Sequence, residues 1–351
     1  MPELRKPLRI INSRTPTRIC DNGGWTDTWF ARYGQIFHIA VSPAAEVQLS
    51  VFPDHGNSPP FTIHAENYGD CYSIAKPNGA YGKHPLIEAI LDYMPVPRGL
   101  ALDLSIFSET PVGCSTGTSA AVAVAILGAL DCLTPGRLTR QELALAAHRV
   151  ETELLHWQCG IQDQIAAAYG GINFIEMDAY PHARVESINL AAEIERELEA
   201  RLALIYVGSS HSSSAVHEMV IHELEDAGAE APQLRQLRNT AAPARDALCA
   251  GDFVAFGRSM IENTEAQRSL HPRLIGPAHQ QIIDIAREYG ALGWKVNGAG
   301  GEGGSIALLS GARRSARRSM IHAIQAANVN FREIPIRLDH SGFVAWDSRP
   351  A

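Results

Sequence analysis

Between Pro111 and Ala121 the chain runs PVGCSTGTSAA straight into an apolar, alanine-rich segment that continues to Leu130. Gly113, Ser115, Thr116, Gly117, Thr118 and Ser119 therefore crowd the start of a predicted helix over 118–130. This is the most constraining stretch of the sequence. Unpaired N–H groups and the positive end of a helix dipole favour an anion at such a place, and glycines let the backbone come close to it. The stretch reads as a phosphate-binding turn, with an ordinary capped helix as the plainer alternative.

Two further stretches share its character, TPTRICDNGGWTDT (Thr15–Thr28) and NGAGGEGGS (Asn297–Ser305). The middle stretch is not a Walker loop, since no Lys-Ser or Lys-Thr follows its glycines, and Gly23-Gly24 lack the GxGxxG spacing of a dinucleotide fingerprint. The three motifs in this order, along a chain of 351 residues, resemble the GHMP kinases, the small-molecule kinases of galactose, homoserine, mevalonate and phosphomevalonate. Pro111, Gly113, Gly117, Ser119 and Ala120 fit the middle motif of that family, whereas Ser115, Thr116 and Thr118 depart from it. Thr118 keeps a hydroxyl, but Ser115 in place of glycine restricts the backbone. The resemblance implies an α+β fold of two domains, the first like domain 2 of ribosomal protein S5 and the second ferredoxin-like, with the active site between them. It also implies ATP held by Pro111, Gly113, Cys114, Ser115, Thr116, Gly117, Thr118 and Ser119, together with Mg²⁺.

Composition agrees with an enzyme of this kind. With 46% hydrophobic residues the chain can bury a large core, most simply as two domains, 1–195 and 196–351. A formal charge of -8, from 38 acids against 30 bases, argues against a nucleic-acid partner. The basic run Arg313–Arg318 reads as a solvated face or the subunit contact of a homodimer. Six cysteines without CxxC or histidine-linked metal spacing suit free thiols in a reducing cytoplasm. No apolar run is long enough for a membrane span, and MPELRKPLR is not a cleavable signal.

Hydrophobic patterning places strands near 8–12, 36–40, 45–52 and 100–107 in the first half, and a helix from about Arg140 to His156 opened by a Thr139/Glu142 capping box. The apolar stripe Leu143, Ala147, Val150 and Leu154 leaves Glu151 on its flank, where a carboxylate needs a partner. A strand at 172–177 and a polar helix at 191–201 precede the second half. There a strand at 202–207 leads to helices at 214–225, 232–248 and 277–289, then strands at 292–296 and 306–309, a helix at 313–327 and a strand at 329–338. The nearest approach to a linker is 226–232.

The stretch CGIQDQIAAAYGG (Cys159–Gly171) carries the catalytic candidate. Galactokinase-like enzymes have a similar Cys-Gly-Ile-x-Asp-Gln, and Asp163 matches the aspartate that faces their substrate hydroxyl. Asp163 could otherwise cap the short helix that follows. Glu151, 12 positions earlier, and Ser119 match the family's magnesium ligands, with Glu153 as the local rival to Glu151. One carboxylate and one hydroxyl suffice for Mg²⁺ when phosphate oxygens complete its shell. Arg18 matches the arginine beside the catalytic aspartate, where a cation favours the ionised form. Asp27 aligns with the aspartate that binds sugar hydroxyls, beside Gly23 and Gly24; an Asx turn is its alternative. Gly298, Gly300 and Gly301 of the third motif would support substrate and phosphate loop, and Glu302 interrupts a run of glycines. His148, His156, His211 and His217 show no metal spacing and read as structural or surface residues.

Two finer resemblances point to different sugars. GIQDQIAAAYGGINFIEM, the segment around His84-Pro85-Leu86 and VGSSHSSS (Val207–Ser214) look like the D-glycero-D-manno-heptose 7-phosphate kinases, whereas GGWTDT looks like the L-fucose kinases. Both families phosphorylate an anomeric hydroxyl. The resemblance thus implies a sugar 1-kinase, with heptose 7-phosphate favoured over L-fucose or another unphosphorylated sugar. A non-catalytic sugar and ATP sensor is opposed by intact Glu151, Asp163 and Ser119, and a mevalonate-diphosphate-type decarboxylase by the first motif.

Overall fold

The computed structural model describes residues 6–56, 58–134, 137–208 and 213–348. Strands β1 (Arg9–Asn22) and β2 (Gly34–Pro53) pair antiparallel over most of their length. The hairpin β3 (Phe61–Ala65) and β4 (Asp70–Ile74) follows, then helix α1 (Pro85–Tyr93) and β5 (Leu100–Ser108), to which β3 is parallel. Helices α2 (Thr118–Asp131), α3 (Arg140–Arg149) and α4 (Gln162–Tyr169) pack their apolar side chains on this sheet. The hairpin β6 (Ile172–Ala179) and β7 (His182–Ile188) joins through the first part of β2.

The second half begins with α5 (Ala192–Arg201), β8 (Leu202–Gly208), α6 (Ser213–Ala227), α7 (Pro232–Cys249), α8 (Phe253–Leu270) and α9 (Pro277–Glu288). Strands β9 (Gly293–Val296) and β10 (Gly304–Leu309), helix α10 (Arg314–Ala327) and β11 (Arg332–Ile334) complete an antiparallel sheet ordered β11-β8-β10-β9. The last strand, β12 (Val344–Ser348), returns to pair with β1 at the edge of the first, eight-stranded sheet. The two sheets share a core. Ile19, Phe37, Ile39 and Phe174 from the first meet Ala241, Ala244, Phe256 and Met260 of α7 and α8, with Leu204 and Ala307 beyond.

Local chemistry explains how α2 is held. It is apolar nearly all round and buried from Ala120 to Asp131 but for Val122, as a helix without a polar face must be. Ser13 and Thr15 on β1 donate to the carbonyls of Ala125 and Ala121, both at 2.7 Å, and so clamp the helix to the strand that also bears Arg18. The capping box that opens α3 is present, with Thr139 N–H donating to Glu142 at 2.8 Å. The helix predicted to reach His156 instead passes at Val150 into a π-helical turn ending at Leu154. Such turns recur at functional sites. Here Glu151 is buried and Glu153 exposed.

Several elements differ from the sequence expectation. Helix α1, the β3–β4 hairpin, β7, α8 and β12 were not anticipated, and the strand expected over 329–338 shortens to β11. Helix α8 is capped by Asp252, which accepts from Val254 and Ala255 N–H, but its buried face includes Asn263, Thr264 and Gln267. Those polar positions dilute the apolar period. Among the described residues no helix is long and apolar enough to cross a membrane, and the six cysteines are unpaired.

Candidate active site

Arg18 leaves β1 near its C-terminal end and is almost wholly buried. Its Nε and Nη2 donate to the two oxygens of Asp163 at 2.8 and 3.3 Å, and its Nη1 donates to the Ser115 carbonyl at 2.8 Å. Burial works against the guanidinium charge, but the carboxylates of Asp163 and Asp21 outweigh it and raise the pKa above the ordinary arginine value. A bidentate pair of this kind fixes both partners in one plane. Asp163 lies in the first turn of α4 and makes no capping bond, so the capping alternative does not describe it.

The turn before α2 has a left-handed backbone at Gly113 (φ 75°), Ser115 (φ 59°) and Gly117 (φ 74°). Ser115 therefore adopts the conformation for which the family uses glycine, at a cost of about 1–2 kcal/mol for an L-residue. Gly117 faces Asp163: a Cβ there would stand 3.1 Å from its Cγ. The third motif packs on the outside of the turn. A Cβ on Gly298 would lie 2.8 Å from the Ser115 carbonyl oxygen, and one on Gly304 2.6 Å from its Oγ. Glu302 is not left-handed and pairs with exposed Arg273 at 2.9 Å, so the interruption of the glycine run strains nothing.

Two further carboxylates converge on Asp163. Glu151 is buried, and burial pushes its pKa up to about 7; hydrogen bonds from Gln164, Cys159 and Ser119 pull it back, while Asp163 adds to the rise. Its neighbour Ser119 is the one hydroxyl among those partners, so this pair could hold a small hard cation whose other ligands are phosphate oxygens. Among the described residues no cluster of three His, Cys, Asp or Glu could hold a metal unaided. Asp27 is buried and pushed up to about 6, chiefly by burial, with the Gln162 backbone N–H drawing it down. That N–H donates to Asp27 Oδ2 at 2.9 Å, a contact between residues distant in sequence and not the bond of an Asx turn. Gly160 permits it, since a Cβ there would fall 2.0 Å from Asp27 Oδ2.

Beneath Arg18 lies a buried network that sequence reasoning missed. Asp21 pairs with Lys295 at 3.2 Å and accepts from Gly298 N–H, while Lys295 also donates to Gln267 at 3.2 Å. Burial lowers the Lys295 pKa and Asp21 opposes it. The network ties β1 to β9 and the third motif. Its signals were a lone lysine in the apolar GWKV and an acid two residues before Gly23.

Two cavities open on this centre. The larger, about 560 Å³, runs from Tyr68, His84 and Leu86 along the glycine turn past Trp157. The smaller, about 210 Å³, is walled by Trp25, Trp29 and Phe30 on one side and by Asp27, Gln162 and Glu151 on the other. They share Arg18, Ser119, Asp163, Gly298 and Ala299. Of the residues expected at the site, Gly113, Cys114, Ser115, Gly117, Thr118 and Ser119 line the larger cavity, and Asp27 and Glu151 the smaller. Pro111, Thr116, Gly23, Gly24, Gly300 and Gly301 line neither and stand behind the walls. Gly23, for example, packs where a Cβ would meet the Gln35 carbonyl at 1.9 Å. His217 also reaches the smaller cavity, and His211 lies outside the described residues.

A large cavity along a glycine turn, meeting a small polar one at an arginine-aspartate pair, is the arrangement of a small-molecule phosphotransferase. The family of GHMP kinases matches twice, its N terminal domain over residues 84–171 and its C terminal domain over 244–330. The D-glycero-alpha-D-manno-heptose 7-phosphate kinase of Campylobacter jejuni is 24% identical over 305 residues, covering 84% of this chain and 88% of its own. The L-fucokinase/L-fucose-1-P guanylyltransferase of Bacteroides fragilis is 25% identical over 366 residues, 95% of this chain but 38% of that longer protein. Among solved structures, a D-glycero-D-manno-heptose 1-phosphate kinase from Bacteroides thetaiotaomicron superposes with a TM-score of 0.73 at 21% identity, covering 96% of this chain and 98% of that one, a likeness of fold. The chain belongs to the GHMP kinases and is an ATP-dependent phosphotransferase with their mixed α/β, two-domain fold.

Proposed function

We propose that the protein transfers the γ-phosphate of ATP to the anomeric hydroxyl of a sugar or sugar phosphate. The observation that carries this reading is the meeting of the two cavities at Arg18 and Asp163. ATP lies in the larger cavity with its phosphates on the turn before α2, where helix N–H groups receive them. The acceptor lies in the smaller one, with Asp27 receiving a hydroxyl. Asp163, its oxygens held by Arg18, receives the proton of the anomeric hydroxyl as the new O–P bond forms. The bond from the γ-phosphorus to the β,γ-bridging oxygen breaks, and ADP leaves with that electron pair. Ser119 and Glu151 would hold Mg²⁺, which neutralises charge on the phosphates when bound.

The Campylobacter relative is named for a phosphorylated acceptor and the Bacteroides one for an unphosphorylated acceptor. Both remain within the proposed reaction. ATP turnover against a panel of sugars and sugar phosphates, with ³¹P NMR of the product, tests it. The expected product is a sugar 1-phosphate. A phosphate appearing at another hydroxyl, or turnover confined to non-sugar alcohols, would reject the proposal.

A further inference from the structure

Arg18 stands between two carboxylates that compete for it. Its Nη2 donates to Asp163 Oδ2 at 3.3 Å, and Asp21 Oδ2 lies 3.9 Å from the same atom. Asp27, the third carboxylate that acts on Arg18, pulls least. Asp21 is 1% exposed and lines neither cavity, so no ligand entering them touches it. A buried carboxylate without a counter-charge is costly, and a guanidinium within reach would turn towards it. The cation that prevents this is Lys295, also 1% exposed, whose Nζ is 3.2 Å from Asp21 Oδ1.

The ammonium of Lys295, on β9, donates as well to Gln267 Oε1 at 3.2 Å and to the Val296 carbonyl, which engages all three of its N–H groups. Gln267, oriented by that bond, donates from Nε2 to the Gly298 carbonyl at 3.0 Å, and the Gly298 N–H donates to Asp21 Oδ2 at 3.0 Å. Gly298 is thus gripped through both its N–H and its carbonyl, and it abuts Arg18, since a Cβ on it would stand 3.3 Å from Nη2. Gly24 leaves room for the Asp21 carboxylate: a Cβ there would fall 2.9 Å from Oδ2. Lys295, Asp21, Arg18 and Asp163 form a chain of alternating charge that runs from the second sheet to the seam of the two cavities.

We infer that Lys295 is a positioning residue for phosphoryl transfer: by neutralising Asp21 it leaves Arg18 to Asp163, and so holds in place the carboxylate that receives the acceptor's proton. The inference rests on the role of Asp163 under the proposed function and extends it to a residue that touches neither substrate. Coupling and a plain structural role differ in sign. If the ion pair only staples the two sheets, losing either half costs stability and leaves kcat per folded molecule unchanged. If Lys295 keeps Arg18 from Asp21, its loss slows the reaction, and removing the Asp21 charge as well restores it.

The test measures kcat and both KM values of Lys295→Met, Asp21→Asn and the double variant, in the full chain, with Mg·ATP and the best acceptor from the sugar panel. Asparagine at 21 keeps an oxygen for the Gly298 N–H. Lys295→Met should lower kcat about ten- to a hundred-fold, the scale of a misplaced catalytic group, with the ATP KM changed by less than about threefold. The double variant should recover most of that loss, a non-additivity expected only of coupled groups. A folded Lys295→Met with the wild-type kcat, or a double variant as slow as the single one, overturns the inference. Should Lys295→Met not fold, Lys295→Gln, which keeps a donor and removes the charge, takes its place with the same two expectations. Asp163→Asn on the same acceptor reports on the reading beneath. If it loses kcat and the Lys295 variant does not, only the present inference falls; if it keeps kcat, the role of Asp163 is itself rejected.

Discussion

The larger cavity is shaped by backbone, the smaller by side chains. Along the first, glycines and a strained serine form a turn ahead of a helix N-terminus, and apolar groups such as Leu86 and Ile87 complete the lining. In the second, buried carboxylates and amides stand at fixed distances from one another. Backbone recognition tolerates change in side chains and depends on conformation; side-chain recognition depends on each functional group. Single substitutions should therefore be harsh and selective on the acceptor side and mild on the nucleotide side.

The sharpest way to break this contrast is Asp163→Asn, at the seam of the two cavities. It preserves size and removes the charge, so kcat should fall by about 10² to 10⁴-fold, with little change in ATP affinity or melting temperature. A folded variant with near-normal kcat would remove Asp163 from the chemistry. Next in size is Glu151→Gln, with an apparent Mg²⁺ affinity lowered by on the order of 10²-fold and partly recovered at high Mg²⁺. Because the Glu151 pKa is pushed up to about 7, Mg·ATP binding should release a proton and strengthen as pH rises through 7, and the glutamine variant should lose that slope. The same raised pKa means that the ligand-free carboxylate contributes stability below its unfolded value of about 4.5 that is lost as pH climbs through about 7. Relative to the wild type, Glu151→Gln should accordingly gain in melting temperature at pH 8 over pH 5. Calorimetry at the two pH values would show it.

Asp27→Asn comes third, raising the acceptor KM and lowering kcat/KM by about ten- to a hundred-fold with the ATP KM unmoved. Equal changes in both constants would place Asp27 in a purely architectural role. The smallest effect is expected from Ser115→Gly on the nucleotide side. Relief of the left-handed serine is worth about 1 kcal/mol, partly offset by the freer unfolded chain, so stability and ATP KM should both stay close to the wild type. A large loss of ATP affinity would show that the Ser115 side chain, and not the turn, recognises the nucleotide.

Much of this was legible in the sequence where short-range chemistry dictates structure. The capping box, the hydroxyl-rich turn and the alanine-rich helix after it follow from residues within one or two turns of each other. Arg18 and Asp163 were found through motif company, although 145 positions separate them. What escaped was set by long-range burial. Asp21 and Lys295 neutralise each other only because two sheets come together, and α8 hides polar residues that find partners across the core, such as Asn263 on Thr240 at 2.7 Å. The unmet hydrogen-bonding atoms of Trp25, Gln162 and Gln164 have no sequence signature. The burial of Glu151 and the exposure of Glu153 arise in a π-helical turn that an ideal 3.6-residue period does not contain.

The return of β12 to β1 sets an order of events at the ribosome. Residues 339–348 knit into parts made long before: Phe343 fills a slot that only Gly128 leaves open, Asp339 takes a hydrogen bond from Arg14, and β12 covers the edge of the strand that bears Arg18. The 150 residues 189–338 lie between the end of β7 at Ile188 and this segment, which at about 5–20 residues per second is a delay on the order of ten seconds. During that interval the nascent first half carries an exposed strand edge and an unfilled groove on α2, both invitations to mispairing or to a chaperone. The first sheet is thus completed only when this last segment has cleared the exit tunnel.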